Sequence, residues 1–129
     1  LYNNTGWSYH DMGDYESALK IFQKAEAVRK SKGRVNELRI AQWCVARTLR
    51  SLKRVEEALS KQMALKAEFE AAGERDGYVF EELGECLLAL DRAQEAQPYF
   101  AKAHEILSQD IWLAEKEPDR IARLKELAA

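Results

Sequence analysis

The sequence predicts an all-α chain: three helical hairpins in tandem, followed by one closing helix. Three observations predict it. Apolar residues recur at three- and four-residue steps, and no stretch alternates in the manner of a strand. Only two prolines and six glycines interrupt 129 residues. A similar phrase also appears three times, as "GDYESALKIFQKA" from 13, "KRVEEALSKQMAL" from 53 and "DRAQEAQPYFAKA" from 91. Ala18, Ala58 and Ala96 thereby occupy matching places, 40 and then 38 residues apart.

The first helix of each hairpin is expected at about 2–12, 35–51 and 75–89. The second helices carry apolar stripes: Ala18, Leu19, Phe22, Ala25 and Val28, then Ala58, Leu59, Met63, Leu65 and Phe69. The third stripe is Ala93, Ala96, Phe100, Ala103, Ile106 and Leu107. Gly33 and Gly73 lie at equal distances past Ala18 and Ala58. Each reads as a helix C-terminal cap, because glycine tolerates the left-handed backbone that ends a helix. Ile111 stands at that place in the third copy, so the sixth helix is expected to run on towards Glu117. Pro98 falls in the first turns of that helix, where its missing N–H costs little. Pro118 suits the first turn of a last helix, about 118–128, with Ile121, Leu124 and Leu127 on one side.

The expected organisation is one domain, with repeats at about 1–34, 35–74 and 75–112 and a capping helix at about 118–128. The sequence opens on Leu1 rather than Met, already within a predicted helix, and is expected to be a piece of a longer protein. A single hairpin cannot bury its apolar face, whereas stacked copies cover one another.

Bulk composition narrows the function classes. Twenty basic side chains stand against 22 acidic ones. With both signs interspersed and no basic stripe, nucleic acid is not an expected partner. The longest apolar run, Cys86 to Leu90, is far too short to cross a bilayer, so a membrane is not one either. Cys44 and Cys86 form no C-x-x-C unit and read as buried thiols of a soluble cytoplasmic protein.

The pattern of small and large residues resembles the tetratricopeptide repeat. Phe80, Leu83, Gly84 and Leu87 match the first half of its motif, as do Tyr2, Gly6 and Tyr9, with Thr5 where Leu is usual. Ala18-x-x-x-Phe22 and Ala96-x-x-x-Phe100 match the second half. Gly6, Ala46 and Gly84 supply the small residue that lets two helices approach closely. The middle copy departs from the motif, with Gln62 in place of Phe22 and Phe100, and Leu65 in place of Ala25 and Ala103. The period also exceeds the family's, which is about 34 residues. The proline that usually ends the second helix is replaced by Lys30, Glu70 and Ser108, which allows longer helices.

The resemblance implies a right-handed α-α superhelix whose first helices line a concave, non-catalytic groove for a protein or peptide. On those helices the face at four- and three-residue steps carries Asn3, Trp7 and His10, then Trp43, Arg47 and Arg50. The third copy adds Tyr78, Glu81, Glu85 and Leu88. Aromatic and arginine side chains are typical anchors of interfaces. The plainer reading is that Arg47 pairs with Glu81 or Glu85 and that Trp7 and Trp43 are core. Some members clamp C-terminal carboxylates, but the lysines that this needs are replaced by Asn3 and Tyr78, so no such clamp is expected.

Two rival readings stand beside the groove: a homodimer formed through exposed Tyr2 and Tyr9, or a peptide-sensing regulatory domain of a larger protein. No enzyme is predicted. Ser8, His10 and Asp11 are near neighbours on one helix and do not converge on one atom. Glu81, Glu82 and Glu85 lack a histidine at ligand spacing, and His104 needs no special role, so neither a metal nor a cofactor is expected.

Overall fold

The computed structural model describes the backbone of residues 2–129 and the side chains of residues 4–129. The side chains of Tyr2 and Asn3, both assigned roles above, lie outside the described residues. The chain forms α1 (Tyr2–Asp11), α2 (Tyr15–Ser31), α3 (Val35–Ser51), α4 (Val55–Ala71), α5 (Gly77–Ala89), α6 (Ala93–Leu107), α7 (Ile111–Lys116) and α8 (Pro118–Ala128). There is no strand among the described residues. The all-α prediction holds, and Pro118 opens the last helix as expected.

The first five helices end in one way. Gly13, Gly33, Lys53, Gly73 and Asp91 all take positive φ, from 61° at Asp91 to 82° at Gly13. The amide one residue later then donates back to a carbonyl inside the helix. Arg34 N reaches Arg29 O at 3.1 Å, and Arg54 N reaches Leu49 O at 2.9 Å. This double-bonded cap satisfies carbonyls that would otherwise be orphaned. Gly33 and Gly73 suit it without strain, whereas Lys53 and Asp91 adopt it against the steric cost of a side chain.

The sixth helix departs from expectation. It stops at Leu107 instead of continuing to Glu117, and α7 starts separately at Ile111. Asp110 lies in extended backbone, and its carboxylate accepts a hydrogen bond from Leu113 N at 3.1 Å. An Asp that caps a new helix competes with continuation of the old one.

Contacts divide the chain into two compact units, Leu1–Lys61 and Gln62–Ala129, with the division inside α4. In unit 1, α1 packs on α2 and α2 on α3. In unit 2, α5 packs on α6, and α6 on α8, with α7 against α8. Both cores are built on one register. Ala18, Phe22 and Ala25 are fully buried in α2, and Ala96, Phe100 and Ala103 are buried at the same spacing in α6. A Cβ at Gly84 would lie 2.7 Å from the Phe100 ring, and one at Gly6 would collide with Phe22. The two glycines therefore permit the close helix approach that the sequence implies.

In α4 the same register buries Ala58, Gln62 and Leu65. The predicted stripe is corrected here, since Met63 is 41% exposed while Gln62 is fully buried. Ala93, at the start of α6, is also exposed rather than part of its stripe.

Candidate functional site

The predicted face falls into two groups, one in each unit. In unit 1, α1 and α3 bring Trp7 and Trp43 together with ring centroids 6.1 Å apart. Both rings are half-buried. Trp7 also lies edge-on to His10 at 5.1 Å and tilts against the core ring of Phe22 at 4.8 Å. His10 in turn packs on Tyr15 at 4.7 Å. The aromatic face is thus continuous with the core through Phe22, and Trp7 packs partly as core.

A polar relay joins α1 to α3. Arg47 Nη1 donates to Ser51 Oγ at 2.7 Å, and Ser51 Oγ lies 2.8 Å from His10 Nε2. The Ser51 hydroxyl accepts from Arg47 and keeps both a proton and a second lone pair, so its bond with His10 Nε2 runs in the direction that the imidazole tautomer sets. A neutral His10 suits this arrangement. Partial burial and the positive charge of Arg47 hold its pKa below the usual 6.5, with Asp11 opposing and Arg50 adding to the depression. Ser51 was not singled out from sequence, because a serine at a helix end carries no signal of its own.

The Ser8, His10 and Asp11 trio does not converge. Ser8 Oγ donates back to Asn4 O at 3.0 Å, while His10 turns to Ser51. Beneath the face, burial pushes the Cys44 thiol up to about 11, which makes it a poor nucleophile. Cys86 is also buried and forms no disulfide.

In unit 2 the predicted residues Tyr78, Glu81 and Glu85 meet two arginines of α8. Arg120 grips Glu81 through both carboxylate oxygens, with Nε to Oε2 at 2.8 Å, and its guanidinium stands 5.3 Å from the Tyr78 ring centroid. It also reaches Glu117 at 3.3 Å. These hydrogen bonds, chiefly that to Glu81, raise the Arg120 pKa despite burial. Burial raises the Tyr78 phenol, with Arg120 opposing and Asp110, Glu81 and Glu117 reinforcing. Arg123 holds Glu85 in the same forked manner, at 2.9 and 3.1 Å.

The two α8 arginines were missed at the sequence level, although a signal existed. One more repeat-length step from Glu81 and Glu85 lands on Arg120 and Arg123. Arginines three apart on one helix can meet carboxylates four apart on another, because both spacings keep side chains on one face. Among the described residues no cluster of three or more His, Cys, Asp or Glu is placed to hold a metal ion. No helix there is long and apolar enough to cross a membrane.

Tandem helical hairpins with repeated caps, a shared core register and paired glycine–phenylalanine contacts define an α-helical repeat protein. Residues 1–31 match the family model described as Tetratricopeptide repeat. The match covers the first hairpin, and the all-α architecture is consistent with a helical repeat fold of that kind. Such repeats generally mediate protein–protein interaction, and the family is typically non-catalytic. No curated protein matches the chain.

Proposed function

We propose that this chain is a non-catalytic scaffold that binds a protein or peptide on the exposed faces of its first helices, α1 and α3 in unit 1 and α5 in unit 2. The carrying observation is the pair of half-buried indoles, Trp7 and Trp43, 6.1 Å apart beside Arg47. Large rigid rings next to a guanidinium offer contact area and directional donors at small entropic cost. The relay through Ser51 and the stacking on Phe22 hold these groups in place before a partner arrives, which lowers the ordering cost of binding. Asn3, His10 and Arg50 complete the proposed contact set in unit 1; Tyr78 and Glu85 form a separate proposed set in unit 2, where Glu81 is buried against Arg120. The cytoplasm suits the chain, since neither buried cysteine is in a disulfide.

The test is partner recovery by the full chain carrying Trp7→Ala with Arg47→Ala. Recovery should fall sharply while the helical circular-dichroism signal stays. Undiminished recovery by a folded variant removes the proposal.

A second reading, self-association, is favoured by α7. Ile111 and Trp112 are 75% and 63% exposed, which is unusual for adjacent large apolar residues. Light scattering across a concentration series decides it: a mass that stays monomeric excludes self-association.

A further inference from the structure

Turns at repeat spacing carry opposite charge. The turn after α2 runs Arg29, Lys30, Ser31, Lys32, Gly33 and Arg34, four basic residues with no acid among them. Forty residues on, after α4, Glu70 and Glu74 take the places of Lys30 and Arg34. The backbone is the same in both turns. Gly33 and Gly73 have φ of 67° and 73°. Glu74 N donates to Phe69 O at 2.8 Å, as Arg34 N does to Arg29 O. Cations near a helix C-terminus favour its dipole, yet the last turn of α4 has no basic residue. The charge of the α2–α3 turn is therefore not a requirement of the cap.

Lys30, Lys32 and Arg34 are exposed, and Val35 beside them is 55% exposed. Glu37 follows, pairing with Arg34 at 3.3 Å, and its carbonyl accepts from Arg29 at 2.9 Å. Glu26, one turn before Lys30, pairs with Lys61 at 3.5 Å. Lys30 and Lys32 thus carry most of the positive charge of the tip.

One further repeat step leads from Gly73 to Ile111, with Trp112 next to it. These are the exposed apolar neighbours of α7, a combination that marks a contact surface. Acids surround them. From Glu105 to Asp119 the chain has five acids, Glu105, Asp110, Glu115, Glu117 and Asp119, against Lys116 alone. Asp110 caps Leu113 N, and Glu117 holds Arg120. Glu115 and Asp119 are exposed. Glu115 lies four residues after Ile111 and three after Trp112, which puts it on their side of α7.

We infer that self-association runs head to tail, with α7 of one copy docked on the α2–α3 turn of another. Glu115 and Asp119 face Lys30 and Lys32, and the Ile111–Trp112 pair covers Val35. The inference rests on the self-association reading and names the surface that α7 meets. Two α7 segments face to face would bring their acids together, whereas the α2–α3 turn offers opposite charge beside an exposed aliphatic side chain. The two surfaces differ, so each copy can engage two neighbours. A nucleic acid would also answer to the lysines, but the turn has no aromatic side chain on which a base could stack.

The test is sedimentation velocity of the full chain across a concentration series. The average mass should rise with concentration, and association should weaken about tenfold between low and physiological salt. Lys30→Glu with Lys32→Glu should weaken it by about tenfold or more, and so should Glu115→Lys with Asp119→Lys. Mixing the two variants should restore association, because each altered surface then meets its opposite charge on the other variant. Should the change at Asp119, in the first turn of α8, loosen that helix, Glu115→Lys alone gives the same readout.

A mixture that associates no better than either variant alone overturns the head-to-tail contact. So does association that survives the lysine reversal but is lost with Ile111→Ser and Trp112→Ser. In that case α7 meets α7, and self-association itself stands. A mass that stays monomeric throughout removes both readings. Binding of polyuridylate through the same lysines, in place of a second copy, also overturns the inference.

Discussion

Unit 1 and unit 2 solve one packing problem with the same parts and finish their outer faces with different chemistry. Each sets a glycine of one helix against a phenylalanine of the next, Gly6 with Phe22 and Gly84 with Phe100. Each buries Ala, Phe and Ala at one register. Yet the face of unit 1 is aromatic, with Trp7, Trp43 and His10 in ring contact, whereas that of unit 2 is a ladder of forked ion pairs. The difference shows that the core register sets the hairpin and leaves the first helix's other face free to vary.

The largest expected effects test the shared part. Phe22→Ala and Phe100→Ala should each destabilise the chain by about 3–5 kcal/mol, because a fully buried ring leaves a cavity that its glycine-lined wall cannot fill. Urea denaturation of the two variants would measure this. A cost well under 1 kcal/mol at either site would mean that the units do not share their core design.

The ion-pair ladder should be uneven. Arg120→Ala strands Glu81, whose side chain is only 8% exposed, and should cost about 2 kcal/mol, reduced from the fully buried case by the 29% exposure of Arg120 itself. Arg123→Ala removes a pair whose arginine is 53% exposed and should cost about 0–1 kcal/mol. Equal losses in the same denaturation assay would contradict the burial difference.

The two units should also differ in acid. His10 has a folded-state pKa below 6.5, so the folded chain favours the neutral ring. The stabilisation is fully present above the unfolded value of about 6.5 and is lost as pH falls through the lower folded value. Thermal melts at falling pH should show that loss, and His10→Asn should flatten it. An NMR titration of the His10 ring should give a midpoint below 6.5, and a midpoint above it would reverse the sign.

The smallest effect concerns the turns. Lys53 and Asp91 hold the left-handed backbone that Gly13, Gly33 and Gly73 hold elsewhere. Lys53→Gly and Asp91→Gly should each stabilise by about 0.5–1 kcal/mol, the relief of side-chain strain less the added freedom of the unfolded chain. A lowered denaturation midpoint in either variant would count against strain at that turn.

Most of the helix pattern was legible because its determinants are local. Gly33 and Gly73 cap where they were expected to, and the helix over Pro118–Ala128 begins at its proline. The failures were of two kinds. Asp110 was visible in sequence, but its capping competed with a helix that nothing else seemed to stop. In α4, hydrophobicity pointed to Met63, while the register shared with α2 and α6 buries Gln62. No hydrogen-bond partner meets the Gln62 amide, and nothing in the structure explains a polar residue there. The candidate face was half legible: spacing named Trp7, Trp43, Glu81 and Glu85, but neither Ser51 nor the two α8 arginines.

By itself the sequence determined the helices, their caps and the repeated Ala-x-x-x-Phe register, since each depends on neighbours within about two turns of one helix. Only the tertiary structure decided that His10 would share a hydroxyl with Arg47, and that Glu81 and Glu85 would be claimed by a helix some forty residues away. Charged and polar side chains choose partners by distance in space, and several arginines in this chain satisfy the same sequence rule.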